Sequence, residues 1–206
     1  MVNSDNKRKQ IVKAAVKRFA HFGIPKTTMN EIAEDVNLTK ANLYYYFPDK
    51  NSLIKDVLLS IVDEMDVEEQ IVIKELGKNL LELLYKLLDV RVIFVKKYYM
   101  FYLFENMDWI KDSSISAEIE SLIQKDEDQY CQIFERAKAA GEIVDLDPRY
   151  IAKNYSDAMR GIGFMGNLSN IVKGFPSIDN IDDIVQRQKE VTEIMLYGLS
   201  TKNRNN

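Results

Sequence analysis

The tightest constraint on this chain is the rarity of its helix breakers: 8 glycines and 4 prolines in 206 residues, set between long stretches of helical period. Residues 6–22 place Ile11, Ala14, Ala15, Phe19 and Phe22 at three- and four-residue steps, and Gly23 can supply the left-handed residue that ends a helix. Thr28-Met29-Asn30-Glu31 fits a capping box, in which the threonine hydroxyl and the glutamate carboxylate each satisfy a free backbone N–H of the other. A short helix with Ile32, Ala33 and Val36 follows, and Thr39 is a good N-cap for another that ends at Tyr46. Pro48-Asp49 opens a longer helix carrying Leu53, Ile54, Val57, Leu58, Ile61 and Val62. Residues 68–88, 92–107 and 114–140 continue the pattern, with Gly141 as a stop. Asp147-Pro148 reads as an N-cap followed by proline at the first helical position, and Asp179 opens a last helix ending near Leu199. No run alternates polar and apolar residues for long enough to propose a sheet. The expected class is all-α.

Several functions drop out on residue chemistry. A single cysteine, Cys131, allows no intrachain disulfide and fits a reducing cytoplasm. The one histidine, His21, lies far from it in sequence, so no metal-ligand spacing exists and neither metal nor cofactor is expected. Cys131 reads as core, and His21 falls on the polar side of the first helix. No nucleophile–base pair is visible, which weighs against an enzyme. The start, MVNSDNKRKQ, has no apolar secretory core. The richest apolar stretch is broken by Lys96, Lys97 and Glu105, so no membrane association is expected and the location should be cytoplasmic.

Net charge looks at first like evidence against nucleic acid, because 28 basic side chains face 32 acidic ones. The total hides an asymmetry. Residues 1–55 hold ten basic and five acidic side chains, a balance of +5, whereas the remaining 18 basic and 27 acidic ones give −9. At physiological ionic strength the Debye length is about 8 Å, so phosphates respond to the local patch and distant acids are screened.

Residues 23–53 carry the most information. Two short helices, Thr28–Asp35 and Thr39–Tyr46, are joined by Val36-Asn37-Leu38, the spacing of a helix-turn-helix in which the second helix enters the DNA major groove. Such a turn usually needs positive φ, and Asn37 is the most tolerant residue after glycine. Ile32, Ala33, Val36, Leu38, Leu43 and Phe47 can form the small shared core.

With Gly23, Thr27, Thr28, Ile32, Ala33, Thr39, Leu43, Tyr44, Tyr46, Phe47, Lys50 and Leu53 at fixed offsets, the segment resembles the DNA-binding domain of TetR-family transcriptional regulators. Asn37 for the usual Gly and Asn51 for the usual Glu are departures, and neither removes a DNA-contacting position. The close likeness covers residues 7–58; the rest is similar only in length and helical character. It implies an N-terminal three-helix helix-turn-helix domain over 1–55 (motif at about 28–47). A C-terminal helical ligand-binding and dimerisation domain would occupy 56–206.

The resemblance also implies roles. Thr28, Tyr44 and Lys50 match phosphate contacts. Thr39, Lys40, Ala41, Asn42 and Tyr45 project from the second helix, where Lys40 could read guanine, Asn42 adenine and Ala41 a thymine methyl. Tyr46 and Phe47 read as packing. Lys7, Arg8 and Lys9 fit either a groove-reaching arm or a solvated basic end. The expected partner is a pseudo-palindromic double-stranded operator, bound by a homodimer formed through residues 148–168 and 179–199.

The aromatic and Met-rich stretch YYMFYLFENMDW (98–109) fits a cavity wall as well as ordinary core. Tyr102, Trp109, Tyr155 and Met159 are the candidates for lining a site for a small apolar or cationic ligand, the latter because Glu105, Asp108 and Asp112 lie close in sequence. Gly161-Ile162-Gly163-Phe164-Met165-Gly166 matches G-x-G-x-x-G literally, but no strand precedes it, so its glycines read as close helix packing or a helix break and not as a dinucleotide site. The expected function is a repressor released from its operator by a small molecule. The competing reading is a DNA-binding regulator controlled by a protein partner, or an activator, without a small-molecule ligand.

Overall fold

The periodic segments become eight helices in the computed structural model, which describes residues 2–75, 79–98, 113–173 and 179–201, excepting the side chains of 2–4, 75, 113–114 and 169–173. They are α1 (Val2–Phe22), α2 (Met29–Asp35), α3 (Lys40–Tyr46), α4 (Lys50–Glu75), α5 (Leu80–Lys97), α6 (Ser113–Ala139), α7 (Pro148–Lys173) and α8 (Ile181–Leu199). The fold is all-α: its one β-type contact among the described residues is an isolated bridge between Ile143 and Ser200. No helix among them is long and apolar enough to cross a membrane.

The expected helix over 68–88 is a misreading. Residues 68–75 finish α4, and α5 starts at Leu80 behind Asn79, whose side-chain oxygen accepts from the Glu82 N–H at 3.2 Å. Apolar spacing persists on both sides of that join, so periodicity alone runs straight through it; the N-capping asparagine is the signal that separates the two. Of the other expected helix, 92–107, α5 takes the residues up to Lys97, and 99–112 lie outside the described residues.

Apolar side chains gather into two cores. The first joins Ile11, Ala15 and Phe19 of α1 to Ile32 and Ala33 of α2, Leu43 of α3 and Leu53, Ile54 and Val57 of α4, and it reaches Phe94, Tyr98 and Ile115. The second takes Ile73 at the far end of α4 together with Leu84 and Leu87 of α5, Tyr130 and Phe134 of α6, and Ile151 and Tyr155 of α7. At 26 residues, α4 is about 39 Å long and belongs to both.

Polar contacts fix its register. Glu69 is 1% exposed and pairs with Arg91 of α5 at 2.6 Å, while Gln129 of α6 donates to the same carboxylate at 2.5 Å. Arg91 continues to Asp126 at 2.5 Å, which also accepts from the Ser156 hydroxyl at 2.9 Å and from Arg160 of α7. Removing either charge from such a chain strands its partner in low dielectric, which is why buried ions come in linked sets. The Arg91 guanidinium lies 5.0 Å from the Tyr130 ring centre. The Tyr130 hydroxyl itself is buried with no hydrogen-bond partner among the described residues, and burial pushes its pKa well up.

Helices α7 and α8 pack tightly at Gly166. A Cβ there would stand 2.4 Å from Ile184 Cγ1, and Asn180 donates to the Gly166 carbonyl at 2.5 Å. Gly166 is therefore a packing position inside a continuous helix, whereas Gly161 faces open space. After α8 the chain turns back: Val144 N–H donates to Leu199 O and the Thr201 hydroxyl to Gly141 O.

Two outcomes follow from this packing. Gly166→Ala gains about 1 kcal/mol of helix propensity but forces overlap with a buried β-branched side chain, at a cost of about 1–3 kcal/mol; urea titration should show a lower midpoint. The second concerns acid. Arg18 of α1 holds Asp35 of α2 in a two-pronged contact of 2.5 and 2.9 Å, and that hydrogen bonding keeps the carboxylate below its usual range. A depressed carboxylate contributes stability above the ordinary Asp pKa of about 3.9, lost as pH falls through its folded value. Asp35→Asn should thus lower Tm near neutrality, by the equivalent of at most about 1 kcal/mol for so exposed a pair, and the gap should close on acidification below that range.

Candidate nucleic-acid interface

The short helices α2 and α3 have seven residues each, too few to hold without help. Caps supply part of that help. The Thr28 hydroxyl accepts from Glu31 N–H at 3.3 Å while the Glu31 carboxylate accepts from Thr28 N–H at 2.7 Å, which is the expected capping box. Those bonds hold the Glu31 carboxyl below its usual pKa range. At α3, the Thr39 side chain accepts from Asn42 N–H at 3.2 Å.

Between them the chain reverses at Asn37, which has φ 53°, the left-handed value expected of it. Leu38 N–H donates back to Ala33 O at 2.8 Å and Asn37 N–H to Glu34 O at 3.1 Å. Ala33, 2% exposed, leaves room for α3 to cross close by. Leu43 and Phe47, both 0% exposed, pin one side of α3 to the first core, with Tyr46 half-buried beside them.

That pinning turns everything else on α3 outward. Thr39, Lys40, Ala41, Asn42, Tyr44 and Tyr45 are all exposed, Tyr45 at 81%. The Lys40 ammonium lies 5.9 Å from the Tyr44 ring centre, and Tyr45 meets Tyr46 edge to face. The structure thus brings these six candidate contacts onto one open surface. Thr28 and Lys50 differ from them. The Thr28 hydroxyl also donates to Glu31 at 2.8 Å, and the Lys50 ammonium donates to Ile24 O at 2.5 Å, where partial burial lowers its pKa.

Two side chains took on roles the sequence did not disclose. Lys7 donates to Val36 O, the C-cap of α2, at 3.0 Å. Arg8 donates to Tyr46 O at 3.0 Å and pairs with Asp56 of α4 at 2.7 Å. The available signal was their place in the helical register of α1, one turn ahead of Ile11 and Val12, which makes them part of a folded helix.

Two of the four candidate ligand residues are described, and they lie together in the second core. Tyr155 and Met159 are 1% and 4% exposed in the second core, with the Tyr155 ring against Tyr130 and Phe134 and its hydroxyl hydrogen-bonded to Thr192 at 3.0 Å. Burial pushes the Tyr155 pKa up to about 12. Tyr102 and Trp109 lie outside the described residues. Cys131 is buried and His21 exposed, as read from sequence. Among the described residues, no group of His, Cys, Asp and Glu could hold a metal ion.

Comparison with known proteins places this geometry. Residues 11–57 match the family described as bacterial regulatory proteins, tetR family. The HTH-type transcriptional regulator RutR of Escherichia coli is 44% identical over 57 residues, a match spanning 28% of this chain and 27% of that protein. The HTH-type transcriptional regulator QacR of Staphylococcus aureus is 27% identical over 95% of this chain and 99% of its own length. A transcriptional regulator from Cytophaga hutchinsonii superposes with a TM-score of 0.82 at 26% identity, covering 94% of this chain and 98% of that one. These relatives are named as transcriptional regulators and not as enzymes. Motif, fold and relatives agree in supporting a TetR-family transcriptional regulator, with the family's DNA-binding segment at residues 11–57.

Proposed function

We propose that the protein is a cytoplasmic, homodimeric repressor that binds a pseudo-palindromic operator and leaves it when a small molecule fills the C-terminal part. The observation that carries this reading is α3 itself, fixed on one side by Leu43 while Thr39, Lys40, Ala41, Asn42, Tyr44 and Tyr45 stand in solvent. In this reading Lys40, Asn42 and Ala41 address base edges, Thr39 and Tyr45 flank them, and Thr28, Tyr44 and Lys50 hold phosphates. Lys50 exchanges the Ile24 carbonyl for a phosphate oxygen on binding. Residues 1–55 read DNA and 56–206 dimerise and take the ligand, with α4 spanning the division.

The dimer reading draws on a second surface. Phe164 and Met165 of α7 and Ile194 and Tyr197 of α8 are 56–72% exposed, an apolar set within residues 148–168 and 179–199. Joining two copies there would set two α3 helices into successive major grooves about 34 Å apart. A ligand that favours another separation weakens operator binding by its differential affinity for the two states. Tyr102, Trp109, Tyr155 and Met159 remain the proposed contacts of an apolar or cationic ligand. Control by a protein partner, or activation of transcription, is the alternative. Absence of any small-molecule shift in Tm would favour it.

The test uses a duplex recovered by the wild-type chain from a random-sequence library. Asn42→Ala should weaken that duplex by about 1–3 kcal/mol, roughly tenfold to a hundredfold, and relax preference at one base pair. Tyr44→Phe should weaken all duplexes alike. If the wild type enriches no sequence, or Asn42→Ala binds the duplex unchanged, this placement of the contacts fails. By sedimentation, the wild type should run as a dimer and Ile194→Asp as a monomer with weaker operator binding; a monomeric wild type would sink the dimer.

A further inference from the structure

Arg8 occupies a junction of three helices. From α1, its Nε pairs with Asp56 of α4 at 2.7 Å, and its Nη1 donates to the carbonyl of Tyr46, the last residue of α3, at 3.0 Å. Its guanidinium carbon stands 4.3 Å from the ring centre of Phe47, the C-cap of α3. A planar fork can serve a carboxylate, a carbonyl and an aromatic face together, whereas an ammonium on a flexible stem cannot hold all three. The cation also sits where a helix leaves its last carbonyls unbonded and its dipole negative.

We propose that Arg8 is a positioning residue that ties the pose of α3, and with it the DNA-reading surface, to α4 through Asp56 and the Tyr46 carbonyl. The inference rests on the proposed DNA-binding role of α3. It differs from a basic arm that touches DNA directly, because the side chain, although 44% exposed, is engaged by Asp56, the Tyr46 carbonyl and the Phe47 ring. Asp56 compensates its charge, so its contribution to operator binding is geometric. Ionic contacts to phosphate are not part of it.

Salt dependence separates the two roles. Each charged phosphate contact contributes about 0.9 to the slope of log affinity against log salt concentration. With the duplex recovered by the wild type, Arg8→Gln should weaken binding by about tenfold, the scale of coupling within one hydrogen-bonded network, at an unchanged slope. Arg8→Lys, which keeps the charge and loses the fork, should fail to restore affinity. Asp56→Asn leaves Arg8 on Phe47 and guards against an Arg8 variant that does not fold. It should weaken binding in the same direction, and the double variant should lose no more than Arg8→Gln alone. All are measured well below each variant's Tm, so a merely structural role would lower Tm and leave the affinity of folded protein intact. A slope shallower by about 0.9 for each Arg8 removed, full rescue by lysine, or unchanged affinity overturns the proposal. A wild type that recovers no duplex overturns the DNA-binding reading instead, and the two failures are thus distinct.

Discussion

The buried carboxylate of Glu69 is the contact on which the rest of the arrangement hangs. At 1% exposure it is satisfied by Arg91 and Gln129, and those partners come from α5 and α6. One helix is thereby locked to two others at a defined register. Since α4 also supplies Leu53, Ile54 and Val57 to the N-terminal core, the same lock decides where the helix-turn-helix stands relative to the body. Weaker surface contacts repeat the pattern along α4: Lys55 with Glu118, Glu64 with Lys97 and Tyr98, and Asp66 with Lys125. In each of these pairs the partner of α4 comes from α5 or α6.

Against that frame the DNA-reading end is built from parts that would not persist alone. Helices of seven residues hold because their ends are capped and one side is buried. The buried side is minimal (Leu43 on α3; Met29, Ile32 and Ala33 on α2), which leaves most of α3 free for recognition. Cations from elsewhere in the fold hold carbonyls around them: Lys7 at Val36 O and Arg8 at Tyr46 O at the helix ends, and Lys50 at Ile24 O in the turn between α1 and α2. Positive charge in this region therefore has structural as well as electrostatic work, and a count of lysines and arginines overstates what is available to phosphate.

Local chemistry made much of this legible from sequence. The capping box at Thr28, the left-handed Asn37, the Thr39 cap and the proline opening of α7 are each decided by residues within four positions of one another. Their identities suffice. The contacts of Lys7, Arg8 and Lys50 were not legible because their carbonyl partners lie 26 to 38 positions away. The join between α4 and α5 was missed because an apolar face continues across it. Tyr155 and Met159 were suggested by residue type, and type does not distinguish a pocket wall from a packed core; only neighbours such as Thr192 and Phe134 do. The network around Asp126 draws on α5, α6 and α7 and has no local signature.

The stitch at the far end of the fold bears on how the protein is made. Residues 141–144, between α6 and α7, are held locally, Gly141 N–H on Lys138 O and Glu142 N–H on Ala137 O, and are tied further to Leu199 and Thr201 beyond α8. During synthesis the helix-turn-helix can close its core once Phe94, Tyr98 and Ile115 have joined it. The ties of the α6–α7 corner to Leu199 and Thr201 must wait until α8 has emerged and turned back. Ribosome-bound intermediates of this chain therefore pair a finished reading head with an unfinished body, so the surface that would join two copies is among the last parts to form.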